Sequence, residues 1–382
     1  MHIAMIGTTA PSHIYPSLAV IAELVRRGHR VTYAVGESLR HLVEPAGVEV
    51  LSFSSVLPDG ESSWPDDPAA AMHVFLDEAI ESFPILTAFY DNDRPDLFLY
   101  DIGGMTAPVL GVRYGLPAVQ LSPTYVAWDG YAEDLGDGIT SIRESPTGVV
   151  YRDTYAKWLR QNDIDADPWK WITYPAHCLS LVPRVMQPNA DRVPESVQFV
   201  GPCLDPVRLN DRSWTAPEGP ILYISLGTGY NERPEFYRMC IEAFGNTDWH
   251  VVISIGRRVD PTVLGELPAH VEVHEHVPQL AVLDAATVFI THAGMGGCTE
   301  ALWFGVPTVA VPQAVDQFGN AAMLADLGVG VHLEFEQVTA ASLADAVAQA
   351  RRLASRAAAM SAEVRAHGGV EQAADAIEAY LA

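Results

Sequence analysis

Positive charge is scarce in this sequence. Lysine occurs only at Lys157 and Lys170, and Lys plus Arg number 23 against 48 Asp plus Glu, a formal net charge of −25. So acidic a chain is a poor partner for nucleic acid or an anionic membrane surface. An anionic small molecule is not excluded, because helix N-termini hold phosphates without a basic surface. Cysteine is sparse too: Cys178, Cys203, Cys240 and Cys298 lie far apart and form no C-x-x-C pair. Zinc and a disulfide framework are therefore not expected, and a reducing compartment is. No segment reaches the roughly 18 apolar residues of a membrane span. The sequence opens on strand-like His2 to Ile6 with no basic leader, so a cytoplasmic protein is expected. A G-x-G-x-x-G turn is missing after this first strand, which argues against a bound dinucleotide.

What is present is enough for two cores. The chain has 382 residues, 49% of them hydrophobic and 19% charged, which suits two α/β domains. Strand-like runs at Ile3 to Gly7, Val31 to Val35, Val48 to Phe53, Asp96 to Tyr100 and Ala118 to Leu121 alternate with helical patterns. That rhythm implies βαβ units and a parallel sheet covered on both faces. It loosens between about 130 and 215, where Pro168, Pro175, Pro183, Pro188, Pro194, Pro202 and Pro206 punctuate the chain, and resumes from Ile221. The expected division is an amino-terminal domain over 1–205, a linker over 206–220, a second domain over 221–365 and a final helix over 366–382 that crosses back. Two Rossmann-like domains facing across a cleft make that cleft the default ligand site. Oligomeric state stays open.

The sharpest local signal is Thr287-Val-Phe-Ile-Thr-His-Ala-Gly-Met-Gly-Gly-Cys-Thr-Glu300. A β-branched strand runs into a small-residue turn that opens a helix. His292, Gly294, Gly296 and Gly297 fall at the strand's carboxyl end, where backbone N–H groups can meet a diphosphate. Glu300 follows in the helix and can accept from ribose hydroxyls; a tight turn with a capping acid is the structural alternative. The next strand end leads to Asp316 and Gln317, which suit paired bonds to adjacent sugar hydroxyls, or else a plain N-cap with a solvated amide.

Together, Val277-Pro-Gln-Leu280, Thr291-His-Ala-Gly294, Glu300, Gly305-Val-Pro307 and Asp316-Gln317 resemble, in order and spacing, the nucleotide-sugar signature of the family-1, GT-B glycosyltransferases. The resemblance runs almost the whole chain. It looks closest to the bacterial macrolide (oleandomycin-type) enzymes, through Gly28-His-Arg-Val-Thr-Tyr33, Leu121-Ser-Pro123 with Val126-Ala-Trp128, and Val311 to Asn320. It implies that His292 and the glycine turn hold the diphosphate and that Ser225-Leu-Gly227-Thr228 closes over it. Val277 and Gln279 join the donor site, Glu300 takes the ribose, and Asp316 and Gln317 take the transferred sugar. The family usually places Trp on the uracil two residues before the Pro-Gln pair; here His276 stands there. The implied reaction is inverting and needs no metal or other cofactor. It moves a hexose, glucose from UDP-glucose by expectation, to a macrolide or similar hydrophobic hydroxylated acceptor, in an antibiotic-inactivating role.

Such a transfer needs one base. The first strand ends at Gly7, and His13 in the loop before the first helix lies on the sheet's carboxyl edge. An imidazole, with an ordinary pKa of about 6.5, suits a base near neutral pH. Asp101 ends another strand on that edge and can hold the imidazole's tautomer. Both match the family's base and supporting acid, although Ser12 stands where the family commonly has Gly. Trp64, Phe75, Phe83, Tyr125, Trp128 and Tyr131 are the candidates for an apolar acceptor surface. Asp91-Asn-Asp93 imitates a metal-binding D-x-D but precedes a strand. Asp163 to Asp167 imitates a calcium loop but has Pro168 where the turn glycine belongs. The rivals are a biosynthetic transferase of a dTDP-deoxysugar, a nucleotide-sugar epimerase on the same fold, and a non-catalytic helper.

Overall fold

The computed structural model describes residues 1–58 and 64–381. It divides into two compact units: residues 1–203 with 368–382, and residues 204–367. The first holds a seven-stranded parallel sheet of β1 (His2–Ile6), β2 (Arg30–Gly36), β3 (Glu49–Phe53), β4 (Leu97–Asp101), β5 (Ala118–Ser122), β6 (Cys178–Ser180) and β7 (Val197–Phe199), in the order β3-β2-β1-β4-β5-β6-β7. The second holds β8 (Ile221–Ser225), β9 (His250–Ser254), β10 (Val271–His274), β11 (Val288–Thr291), β12 (Thr308–Ala310) and β13 (Gly330–His332), in the order β10-β9-β8-β11-β12-β13. Their central strands are apolar on both faces: Ile3, Ala4, Met5, Leu222 and Ile224 are fully buried. Helices on both sides of a parallel sheet require this.

The two units share one topology, and it positions the site. In the first, β1 lies between β2 and β4; in the second, β8 lies between β9 and β11. The chain reverses direction across each sheet at these strand pairs, so the loops leaving them part and open a crevice at the strands' carboxyl ends. β1 and β4 lead to His13 and Asp101. β8 and β11 lead to Gly227 and His292.

The proline-rich middle is more regular than the sequence suggests. Helices Tyr131–Glu144, Pro146–Gln161 and Pro168–Thr173 fill it, followed by β6 and β7. Pro146 and Pro168 stand at helix starts, behind Ser145 and Asp167, whose side chains cap Gly148 N and Lys170 N. A proline at the first helical position lacks only an N–H that would have no partner anyway. The stretch expected as a linker groups with the second unit. There Pro206–Leu209 is a short helix capped by Asp205. The last helix, Val370–Glu378, packs Ala373, Ala374 and Ile377 against Leu18, Ile21 and Leu24 of the first unit. Arg27 pairs with Asp375 and Glu378, and His29 with Glu378, beside that apolar contact.

Candidate active site

His13 is not in a loop, as expected, but in the first turn of the helix Pro11–Arg26. Ala10 is extended at the cap and Pro11 takes the first position, its fixed φ already helical. Pro16 sits one turn in and removes only one helix bond, to the Ser12 carbonyl. Starting the helix this early aims His13 back over the end of β4. His13 Nδ1 lies 2.9 Å from Asp101 Oδ1. Asp101 is 2% exposed and His13 26%. An ionised carboxylate can only accept, so the imidazole donates from Nδ1, and Nε2 carries the lone pair that takes up a proton. The same Oδ1 accepts from Thr8 Oγ1 and from Gly103 N at 3.0 Å, which fixes the carboxylate. Thr8 escaped sequence reasoning, since nothing in its spacing marks a side chain that packs onto a strand end 93 residues away.

The six aromatic candidates divide. Phe75 lies beside this site: a Cβ added at Gly103 would sit 3.2 Å from its ring and nearer still to Thr8. Trp64 packs on Phe75 at a tilt, with ring centroids 5.3 Å apart. Phe83 packs against two interior clusters, edge-on to Trp158, and belongs to the core instead. Trp128 is buried, bonds Asp134 through Nε1 at 2.6 Å and meets Tyr131 edge-on, so it anchors its loop rather than facing a ligand. Tyr125 and Tyr131 are half-buried on the segment after β5. Buried Gln187 braces that segment, accepting from Val126 N and donating to Val126 O.

In the second unit the His292 ring is wedged between two glycines. A Cβ at Gly227 or at Gly294 would lie 2.4 Å from it, and Gly227 also has a φ of +75°. Both positions exclude a side chain for want of space. Burial pushes the His292 imidazole down to about 4, so near neutral pH it is an uncharged N–H donor. Positive potential comes instead from the helix Met295–Phe304, whose first N–H groups, at Met295, Gly296 and Gly297, have no partner within the helix. Ser225 Oγ accepts from Gly227 N, and buried Asn231 donates to Gly227 O at 2.8 Å, so the turn after β8 is tied down beside the imidazole. Thr228 is exposed on it.

Glu300, one helical turn further, is buried and held from both sides. Arg208 Nη2 donates to its Oε1 at 3.1 Å, Gln279 Nε2 donates to its Oε2, and Gln279 Oε1 accepts from Tyr223 OH at 2.9 Å. Arg208 and Tyr223 carry no sequence signal of this role; Arg208 sits in the stretch expected as a linker. Val277 is buried in the core, whereas His276 is exposed next to it. Partial burial, and then the charges of Arg208 and Arg257, hold the His276 imidazole below its ordinary value. On the far side, Asp316 Oδ2 accepts from Asn320 Nδ2, which also donates to Ala293 O. Gln317 Oε1 accepts from Gln313 N and Ala314 N, which leaves the amide N–H₂ as the end that can donate to a ligand.

Three of the acidic residues set aside as metal ligands have partners elsewhere. Asp93 pairs with Arg30, Asp91 accepts from Tyr114 OH, and Asp167 caps a helix. Among the described residues, no group of three or more His, Cys, Asp or Glu is placed to hold a metal ion.

Two parallel-sheet units, each with its polar residues gathered at the switch point, define a GT-B glycosyltransferase. The solved glycotransferase of kitacinnamycin matches with a TM-score of 0.92 and 41% identity, covering 100% of this chain and 99% of that one. The chain belongs to the family-1 glycosyltransferases. It is 43% identical over 391 residues to the oleandomycin glycosyltransferase of Streptomyces antibioticus, covering 100% of this chain and 91% of that protein. It is 36% identical over 399 residues to the NDP-glycosyltransferase YjiC of Bacillus licheniformis, covering 100% and 98%. Residues 238–377 match the family described as erythromycin biosynthesis protein CIII-like, C-terminal domain.

Proposed function

We propose that the protein transfers glucose from UDP-glucose, with inversion and without a metal, to a hydroxyl of a macrolide or similarly bulky hydrophobic natural product. The His13–Asp101 pair, 2.9 Å apart at the end of β1 and β4, carries the proposal. His13 Nε2 takes the acceptor's hydroxyl proton as that oxygen bonds to the anomeric carbon, and Asp101 stabilises the imidazolium. The bond from the anomeric carbon to the β-phosphate oxygen breaks in the same displacement, which inverts the centre. The leaving diphosphate is met by the His292 N–H and the helix N-terminus at Met295 to Gly297. Glu300 takes the ribose. Asp316 as acceptor and Gln317 as donor bind sugar hydroxyls, which a deoxysugar would lack.

The macrolide assignment rests on the oleandomycin glycosyltransferase, and glycosylation of such an acceptor in the cytoplasm would inactivate an antibiotic. The test is incubation in EDTA with UDP-glucose or a dTDP-deoxysugar, with and without oleandomycin and 4-methylumbelliferone. Glucosylated acceptor of inverted configuration is the expected product. Transfer only from the deoxysugar donor, or epimerised donor in the absence of acceptor, would overturn the reading.

A further inference from the structure

The segment that presents Asp316 and Gln317 contains a conformational oddity. Val315 has a φ of +45°, in the left-handed region. A β-branched side chain there crowds its own backbone, which is unfavourable relative to ordinary conformations. Glycine or asparagine is the usual occupant. Strain of this kind is normally offset by burial, yet Val315 is 74% exposed. The fold therefore holds an apolar, unfavourable side chain in solvent.

The backbone around it is firmly fixed. Gln317 Oε1 ties Gln313 N and Ala314 N, Gln313 Nε2 donates to Tyr230 O, Arg233 Nε donates to Gln313 Oε1, and Asp316 bonds Asn320. Phe318, on the other side of the Asp316–Gln317 pair, is a second large apolar residue left 46% exposed. Two exposed apolar side chains thus flank, in sequence, the two polar side chains assigned to the sugar. Strained residues held by over-determined surroundings cluster at ligand-binding positions.

We propose that Val315 and Phe318 contact the acceptor and help set its specificity, favouring an apolar acceptor surface next to the hydroxyl that reacts. The inference rests on the assignment of Asp316 and Gln317 to the transferred sugar. An acceptor oxygen attacking that sugar's anomeric carbon comes within about 3–3.5 Å of it, so the acceptor atoms next to that oxygen pass close to whatever borders the sugar. Val315 and Phe318 are the exposed apolar side chains next in sequence to the pair assigned to that sugar. Neither is assigned a part in the displacement.

The experiment compares Val315→Gly, Val315→Asn and Phe318→Ser with wild type. Gly and Asn both accept the left-handed backbone, so the loop is kept while the apolar surface goes. The expected result is a KM for oleandomycin or 4-methylumbelliferone raised about tenfold, with kcat changed less. UDP-glucose affinity by calorimetry stays unchanged, and the thermal midpoint of Val315→Gly is equal to or above that of wild type. Unchanged acceptor KM in all three variants would overturn the proposal. So would weakened UDP-glucose binding in all three, which would assign the residues to the donor. Asp316→Ala separates the underlying reading: if UDP-glucose binds it no more weakly than UDP does, relative to wild type, the sugar assignment fails on its own account. A wild type that glycosylates neither acceptor would sink both.

Discussion

His13 Nδ1 and Asp101 Oδ1 stand 2.9 Å apart although 88 residues separate them in the chain. Asp101 sets which imidazole nitrogen keeps its proton. In Asp101→Asn the partner becomes an amide that can donate, so the imidazole turns its lone pair toward it and no longer serves as the base. A fall in kcat of about two to four powers of ten is expected, with UDP affinity by calorimetry unchanged. Equal loss of UDP affinity would mean that the first unit's site is not confined to proton transfer.

His13→Ala removes the proposed base. Product formation should fall to background, while UDP still binds, because the residues proposed to hold it all belong to the second unit. Full retention of transfer would place the base elsewhere.

Gly227→Ala should damage the donor site through packing. The new methyl would lie 2.4 Å from the buried His292 ring, on a backbone already at a φ of +75°. A loss of about 1–3 kcal/mol in unfolding free energy is expected, together with weaker UDP binding. Gly296→Ala is the control: an added Cβ there meets nothing within 4 Å. It should unfold with the wild type's denaturant midpoint.

His292 makes stability pH-dependent in a stated direction. Its folded-state value is lowered to about 4 by burial, whereas an unfolded histidine titrates near about 6.5. Between these values the unfolded chain binds more protons, so stability is full above the upper value and declines as pH falls toward the lower one. Urea midpoints of His292→Asn should lose about one proton's worth of that slope across this window. Identical slopes in variant and wild type would contradict the burial of the imidazole.

Glu300→Gln tests the proposed ribose subsite. The carboxylate accepts from Arg208 and Gln279 at once, and a neutral amide weakens both charge-assisted bonds. UDP affinity should drop about ten- to a hundredfold, the equivalent of about 1.5–3 kcal/mol.

Much of this was legible before folding. Strand runs such as Ile3 to Gly7 and Ile221 to Leu226 read clearly because strands buried on both faces are continuously apolar. The glycines beside His292 read as a turn because only small residues fit there. The rest was less legible: the helix that aims His13 starts at Pro11, earlier than the loop expected around His13, and Pro168 marked a helix beginning, not a break in order. Arg208 and Thr8 were invisible because their roles depend on distant partners. Trp128 and Phe83 pack inward in the structure, which the sequence could not tell, because an aromatic side chain looks the same there whether it packs inward or faces a ligand.

The helix Val370–Glu378 has a bearing on the order of assembly. Its Ala373, Ala374 and Ile377 close the apolar face of Leu18, Ile21 and Leu24, and Glu378 meets Arg27 and His29. On a ribosome, the amino-terminal half therefore emerges with that face uncovered, and cannot complete its core until residues 370–378 have been synthesised. The second unit, contiguous from Leu204 to His367, is free of this wait. The half that is made first thus has its first helix covered only by a helix made after the whole of the second unit.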